Sequence, residues 1–164
     1  MRYLIGEEEK EAEKYMKEAV KVASGSLCLK SKCGTVVVKN GKIIGQGYNA
    51  PPLDDPKFRR CLNTYALPKD YKYDRTCCMH AEQRAIIDAL KKDPKSLAGA
   101  RLYFIRIDAD GNIKKAGKPY CTICSRMALD AGISEFLLWH DEGICAYETG
   151  EYNALSYKNI KENT

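Results

Sequence analysis

Two short motifs constrain the fold of this chain more than any other feature of its sequence. His80-Ala81-Glu82 and Cys121-Thr122-Ile123-Cys124 each stand at the beginning of a predicted helix. Cysteines three positions apart in the first turn of a helix lie on one face, and the positive end of the helix dipole there favours thiolates. A nitrogen from His80 would complete a three-ligand set if the two helix starts meet. A fourth position left open to water is typical of a catalytic zinc rather than a structural one.

Glu82 is the candidate for acid–base work. It lies two residues from His80, too close for both side chains to point the same way along one helix, but it can flank the metal if His80 occupies the first turn. A carboxylate beside an activated water can take its proton and pass it to a substrate. The alternatives are a solvated helix carboxylate at position 82 and a half-buried structural histidine at position 80.

Hydrophobic periodicity predicts an α/β fold. Helices are predicted over residues 7–23, from His80 to the residues before Pro94, from Cys121 to Gly132, and over 153–161. Strands are predicted over residues 35–39, 42–48, 101–107, 135–140 and 144–148. Asn40-Gly41 indicates a two-residue hairpin turn. The last two strands are separated by too few residues for a parallel crossover, so we expect an antiparallel pair.

This order of elements describes one domain spanning residues 1–164. The expected architecture is a three-layer α/β/α sandwich with a mixed five-stranded sheet. The only histidine besides His80 is His140, which ends an apolar strand and favours a structural role.

Composition and charge limit the compartment and the partners. The chain is 45% hydrophobic and 30% charged, and its net charge of +5 suits an anionic substrate without requiring nucleic acid. No apolar run approaches the ~20 residues of a membrane span, and the acidic start over residues 1–10 is unlike a signal peptide. We therefore expect a cytoplasmic protein without membrane contact, in which eight cysteines are thiols or metal ligands rather than a disulfide framework.

The motifs resemble those of the zinc-dependent cytidine and deoxycytidylate deaminases, whose signature is H-x-E followed by P-C-x-x-C. Cys28 and the stretch from Cys33 to Gly41 are similar to the opening of deoxycytidylate deaminases. Gly47-Tyr48-Asn49 is similar to their glycine-tyrosine-asparagine motif, and tRNA adenosine deaminases carry a similar asparagine. One departure stands beside the metal motif, where Tyr120 separates Pro119 from Cys121.

The resemblance implies a cytidine deaminase-like fold and hydrolytic removal of an amino group from a nucleobase. It implies one catalytic zinc per chain on His80, Cys121 and Cys124, proton transfers by Glu82, and a homo-oligomer. A free nucleotide such as deoxycytidylate is the leading substrate. The candidate substrate contacts are Asn49, Ala81 and Tyr120, with Asn49 alternatively a turn former.

Three other functions stay open on the sequence alone. The first is a deaminase of a base in RNA or tRNA, which needs a basic groove around the site. The second is a deaminase of another ring, such as guanine, a pterin or a modified nucleoside. The third is a zinc-stabilised binding module without chemistry, against which Glu82 argues because a structural site gains nothing from a free carboxylate.

The segment from Pro51 to Cys78 shows no clear periodicity, and long loops of this kind are usually functional or locally structured. Arg59 and Arg60 within it are candidates for a clamp on one substrate phosphate, or else solvated loop charges. Some deoxycytidylate deaminases carry an extra structural metal in this region. By that resemblance Cys61, Cys77 and Cys78 form a possible second zinc site with Cys28 or Cys33. Buried free thiols are the favoured alternative.

Overall fold

The computed structural model describes residues 1–29, 31–60 and 77–161. Its helices are α1 (Gly6–Ser24), α2 (Ala81–Lys92), α3 (Thr122–Asp130) and α4 (Thr149–Lys161). Its strands are β1 (Arg2–Tyr3), β2 (Lys32–Lys39), β3 (Lys42–Tyr48), β4 (Arg101–Ile107), β5 (Ile113–Lys114), β6 (Glu135–His140) and β7 (Gly143–Glu148). Two short 3₁₀ helices, Pro52–Asp54 and Pro56–Phe58, follow β3. In the described part of the chain, no helix has the length and apolar character to cross a membrane.

All seven described strands belong to one sheet. Their order is β1-β7-β6-β4-β2-β3, and β5 pairs with the end of β4. Among the described pairs, only β4 and β6 run parallel, so the predicted mixed sheet is confirmed. The predicted count of five strands was wrong. The two additional strands, β1 and β5, are two residues long each, and two residues cannot show the alternation by which a strand is recognised.

Both predicted hairpins are present. Asn40 and Gly41 adopt φ angles of 49° and 72°, the left-handed conformation that a type I′ turn requires at both positions. Lys39 pairs with Lys42 across this turn. The second hairpin joins β6 to β7, which are antiparallel as expected.

Helices cover both faces of the sheet, so the three-layer prediction is confirmed. On one face, α1 buries its apolar stripe against β2, β4, β6 and β7. On the other face, α2, α3 and α4 pack together over a second core. The residues of α1 in the first core are Ala12, Tyr15, Met16, Ala19 and Ala23. The second core includes Val37, Ala85, Ile86, Leu102, Phe136 and Tyr152.

Glycines allow α2 to lie directly against the backbone of β3. A Cβ atom at Gly47 would lie 2.5 Å from the nitrogen of Ala85 and 2.6 Å from the carbonyl oxygen of Ala81. A Cβ atom at Gly45 would be closer still to the carbonyl oxygen of Ala85. Any larger residue at these positions would push α2 away, so the two glycines set the depth at which α2 sits on the sheet.

Candidate active site

His80 occupies the N-cap of α2. Its backbone is extended, with φ −73° and ψ 151°, and its N–H donates to the side chain of Gln83 over 3.1 Å. This is the reciprocal half of a capping box, in which the third helical residue reaches back to the cap. The preceding residue, Met79, makes two backbone hydrogen bonds with Ala50, of 2.9 Å and 3.3 Å. These contacts fix His80 at the helix start while its ring turns toward α3.

Cys121 and Cys124 begin α3. Cys121 is the N-cap and its carbonyl accepts from the N–H of Ser125 over 3.0 Å, so Cys124 is the third helical residue. The sequence-based prediction of a helix start near Cys121 is confirmed. Helix α4 braces this segment at two points. The side chain of Asn159 donates to the carbonyl of Pro119 over 2.7 Å, and the Ser125 hydroxyl donates to Asn153 over 2.9 Å.

His80, Cys121 and Cys124 meet as predicted. The Nδ1 atom of His80 lies 3.1 Å from Sγ of Cys124 and 3.4 Å from Sγ of Cys121. All three donor atoms lie within 4.8 Å of one another, and no other such group of three occurs within residues 1–29, 31–60 and 77–161. One imidazole and two thiolates are ligands that zinc prefers, and three protein ligands leave a position open. The donor set therefore fits a catalytic zinc.

The three groups are close enough to shift one another's pKa values, and only the shift at Cys121 is in the direction that ligation needs, since metal ligation takes thiolates and a neutral imidazole. A hydrogen bond from Cys124 and a further one from His80 lower the pKa of Cys121 to about 4. The same thiolate, as hydrogen-bond partner, raises the pKa of His80 to about 9. The hydrogen bond between Cys124 and Cys121, together with burial, raises the pKa of Cys124 well above the usual value. The cluster thus places negative charge on the sulfur of Cys121, and zinc binding would release the protons held by His80 and Cys124.

Glu82 is buried in the first turn of α2, with 6% of its surface exposed. Burial raises the pKa of its carboxyl group, while the charge of His80 opposes that rise. The carboxyl group also contacts the Cys124 thiol. Because His80 stands at the cap rather than inside the helix, the side chains of His80 and Glu82 both reach the cysteines of α3, as the sequence argument required. A carboxyl group with a perturbed pKa beside a metal site is typical of an active site.

Glu82 and Cys121 line a cavity of about 100 Å³. Tyr120, the predicted departure beside the metal motif, lines it as well. Ala81 is fully buried and is not one of the residues that line this cavity. Substrate contact by these two residues stays a prediction, and of the two only Tyr120 faces the cavity.

Asn49 has its amide engaged by neighbouring segments. Its Oδ1 atom accepts from the N–H of Cys33 over 2.8 Å and from the Ser26 hydroxyl over 2.7 Å. Its Nδ2 atom donates to the carbonyl of Ser31 over 2.7 Å. The residue is 8% exposed. Asn49 therefore ties the end of β3 to the chain before β2, and its predicted contact with substrate stays a prediction.

Arg59 and Arg60 are bonded to backbone carbonyls. The guanidinium of Arg59 donates to Leu27 over 2.9 Å, and that of Arg60 donates to Lys57 and to Arg59 over 2.7 Å each. Neither arginine belongs to the described lining of the Glu82 cavity. The predicted phosphate clamp stays a prediction.

The cysteines of the predicted second zinc site meet in part. The Sγ atoms of Cys77 and Cys78 are 4.0 Å apart, and Cys28 hydrogen-bonds Cys78. Cys33 instead contacts Ser31 and Arg106, and Cys61 lies outside the described residues. The second zinc site stays a prediction.

The sequence argument missed ten residues that line the Glu82 cavity, of which five are polar, namely Arg106, Lys114, Lys115, Lys118 and Tyr152. The run Lys114-Lys115 and nearby Lys118, just before the cysteine motif, was the available signal. Tyr152 carried none, because it precedes the predicted closing helix and belongs to no motif.

His140 anchors the lysine-bearing segment between β5 and α3. Its Nδ1 atom lies 3.0 Å from the carbonyl of Ala116 and its Nε2 atom 2.8 Å from the Tyr147 hydroxyl. The N–H of Ala116 donates to Trp139 over 2.8 Å, and Lys115 lies 4.0 Å from the centre of the Trp139 ring. These contacts give His140 the structural role that the sequence favoured.

Comparisons with known proteins agree with this geometry. Residues 9–139 match the model of the cytidine and deoxycytidylate deaminase zinc-binding region. The chain is 33% identical over 121 residues to the deoxycytidylate deaminase of Mycobacterium phage D29, a match that covers 70% of this chain and 83% of that protein. It is 35% identical over 80 residues to the deoxycytidylate deaminase of Saccharomyces cerevisiae, covering 46% of this chain but only 24% of the yeast protein.

A solved structure shares the fold and the arrangement of elements. The dCMP deaminase of cyanophage S-TIM5, crystallised with dCMP and dUMP, is 26% identical, with a TM-score of 0.51 over 81% of this chain and 82% of that chain. The ligand set and Glu82 fall inside the region matched by the family model, whereas α4 lies beyond it.

Proposed function

Since the chain belongs to the cytidine and deoxycytidylate deaminase family, we propose that it is a zinc-dependent hydrolase of a free cytidine nucleotide, with deoxycytidylate as the leading substrate. The observation that carries this proposal is the meeting of Glu82 with His80, Cys121 and Cys124 at one cavity. The phage and yeast relatives named as deoxycytidylate deaminases, and the cyanophage complex with dCMP and dUMP, support this substrate.

Glu82 performs the proton transfers in this proposal. When bound, zinc acts as a Lewis acid that lowers the pKa of water and so supplies the nucleophile. Glu82 accepts one proton from the attacking water and delivers it to the ring nitrogen next to the amino-bearing carbon. It then carries the second proton to the amino group, which leaves as ammonia while a ring carbonyl forms. Burial raises the pKa of Glu82, so the carboxyl group can hold a proton between the two transfers.

A cationic rim supports an anionic substrate. We give the name cationic rim to Arg106, Lys114 and Lys118, which line the cavity of Glu82; the ammonium group of Lys115 lies over the Trp139 ring instead. Arg106 and Lys114 are paired across β4 and β5, so their side chains lie on the same face of the sheet. Cations at the mouth of the reaction cavity favour a substrate with a phosphate group near the base. All three come from one hairpin and its continuation, whereas a polynucleotide requires cations spread along a groove.

Two sets of residues are therefore candidates for the phosphate contact. The pair Arg59 and Arg60 is bonded to backbone carbonyls, whereas the cationic rim faces the cavity of Glu82. The rim has the better geometry for a phosphate on a nucleotide whose base reaches Glu82.

The test is ammonia release by zinc-loaded protein from a panel of nucleosides, nucleotides and RNA. We expect deoxycytidylate to exceed deoxycytidine in kcat/KM. Arg106→Ala combined with Lys114→Ala should lower kcat/KM for deoxycytidylate at least tenfold while affecting deoxycytidine much less. Lys42→Ala, an exposed cation at the β2–β3 turn, is the matched control and should change neither.

Two results would contradict the proposal. If Arg59→Ala with Arg60→Ala discriminated between the two substrates and the rim variant did not, the phosphate would bind at Arg59 and Arg60 rather than at the cationic rim. If RNA or tRNA were deaminated while every mononucleotide stayed inert, and the activity fell steeply with salt, a free nucleotide would not be the substrate.

We also propose a cytoplasmic protein of one domain that forms a homo-oligomer. No disulfide joins the described cysteines, which supports a reducing compartment. A single cooperative unfolding transition and a light-scattering mass above that of the 18.5 kDa chain are the expected results. Two separate transitions, or a monomeric mass, would contradict the domain and oligomer proposals respectively.

A further inference from the structure

Tyr152 on α4 reaches the reaction cavity from outside the region matched by the family model. It is 5% exposed and lines the cavity with Glu82 and Cys121. Its ring stacks on Phe136 with centroids 4.0 Å apart and planes 13° apart, and it meets Tyr147 edge-on at 5.7 Å. These aromatic contacts hold the ring in one orientation.

The hydroxyl group of Tyr152 has no hydrogen-bond partner among residues 1–29, 31–60 and 77–161. Burial raises the pKa of this phenol well above its usual value, and the nearby charges of Glu82, Cys124 and Cys121 add to the effect. The group is therefore neutral and available as a donor. This hydroxyl is not among the fully buried polar atoms that lack a partner in the described chain, so its oxygen is open to the cavity that Tyr152 lines.

The bracing of α4 shows that the placement of Tyr152 is fixed rather than incidental. Asn153, the next residue, accepts from Ser125 on α3, and Asn159 donates to Pro119 just before the metal motif. Both bonds join α4 to the segment that carries Cys121 and Cys124. Tyr152 therefore keeps its position relative to the ligand set.

We propose that Tyr152 is a substrate-contacting residue, whose hydroxyl hydrogen-bonds the polar edge of the aminated base next to the atoms that Glu82 protonates. The inference rests on the proposed deaminase function and adds a residue to it. In this arrangement the base enters the cavity and its polar edge accepts a hydrogen bond from the fixed Tyr152 hydroxyl. The phenol thereby gains a partner that the described protein does not provide. A site built in this way discriminates strongly against ligands that lack the matching group.

The experiment compares zinc-loaded wild type with Tyr152→Phe. We expect a 10- to 100-fold loss of kcat/KM for deoxycytidylate and a comparable weakening of dUMP binding measured by calorimetry. Zinc content should stay unchanged. The thermal midpoint should be unchanged, because phenylalanine keeps the aromatic packing on Phe136 and Tyr147. Tyr157→Phe is the matched control on the same helix, since Tyr157 is 47% exposed, and it should behave as wild type.

Each contrary outcome has a distinct meaning. Wild-type kcat/KM and dUMP affinity in Tyr152→Phe, with an active wild type, would overturn the inference and leave the proposed function standing. A lowered thermal midpoint with unchanged dUMP affinity would make Tyr152 a structural core residue and would also overturn it. A wild type inactive on every aminated pyrimidine nucleotide would refute the proposed function itself, and the inference with it.

Discussion

Gly47→Ala tests whether the packing of α2 on β3 sets the geometry of the active site. The added Cβ would lie 2.5 Å from the nitrogen of Ala85, and ordinary contact begins at 3.4 Å. The difference, 3.4 minus 2.5, is 0.9 Å. Of the three closest atoms, two belong to the backbone of α2 and the third is the Cβ of Arg84, so no side-chain rotation relieves the contact and the helix itself must retreat.

The retreat has a cost in stability and a larger one in rate. Overpacking of this kind lowers the free energy of unfolding by about 1–3 kcal/mol, and each 1 kcal/mol lowers the thermal midpoint by about 2–4 °C in a chain of this size. His80 caps α2 and Glu82 lies in its first turn, so both move relative to the cysteines on α3. A displacement near 1 Å costs about 100-fold in rate, which is the expected fall in kcat/KM.

The assay combines urea unfolding, zinc content after dialysis and ammonia release. Gly150→Ala is the control, because nothing lies within 4 Å of its added Cβ and alanine in a helix is neutral or slightly stabilising. Unchanged stability and activity in Gly47→Ala would show that α2 has room to spare. Lost stability with full activity would show that the depth of α2 does not set the site geometry.

Three further outcomes are expected. Glu82→Gln should keep zinc and fold but lower kcat by about 10²–10⁴-fold per proton transfer removed, so near wild-type ammonia release would make Glu82 a bystander. Cys121→Ala should lose zinc as measured by metal analysis, and full retention would rule out the ligand set. Hydrogen bonds from Arg2 and then Arg101 lower the pKa of Glu8 to about 2 from 4.5, so the ionised carboxylate stabilises the fold above pH 4.5 and this contribution disappears as the pH falls through 2. Glu8→Gln should therefore lower the free energy of unfolding at pH 7, by only about 0.5–1 kcal/mol because solvent screens this partly exposed pair. Near pH 2 the substitution should have no effect. Equal stability of variant and wild type in urea unfolding at pH 7 would contradict this prediction.

The sequence predicted the elements whose signals are local. The five longer strands, the four helices and both hairpins have periodicity or turn residues of their own, and the ligand motif carries its chemistry in its spacing. The two-residue strands β1 and β5 were not predicted, because strands this short are defined by their pairing in the sheet and not by a sequence pattern. The start of α4 was placed too late because β7 ends at Glu148 and α4 begins at Thr149 without a loop between them.

Roles that depend on how distant segments dock were out of reach of the sequence. The spacing of Arg59 and Arg60 gives no direction for their side chains, which the structure directs to backbone carbonyls. Asn49 was recognised as special, but the three groups that hydrogen-bond its amide come from residues 26–33. Tyr152 reaches the cavity only through the packing of α4 on α3.

The parallel pairing of β4 with β6 bears on the order in which the molecule folds. The connection between these two strands contains α3 and both cysteine ligands. His80 instead comes after the β2–β3 hairpin, whose pairing joins residues that are close in the chain. Parallel pairing closes slowly, because loop entropy is lost before contacts reward it. The two halves of the ligand set are therefore joined late, and zinc meets a complete site only after the folding barrier. We expect added zinc to slow unfolding in stopped-flow experiments while leaving the refolding rate unchanged. The metal would then stabilise the completed fold without taking part in its folding nucleus.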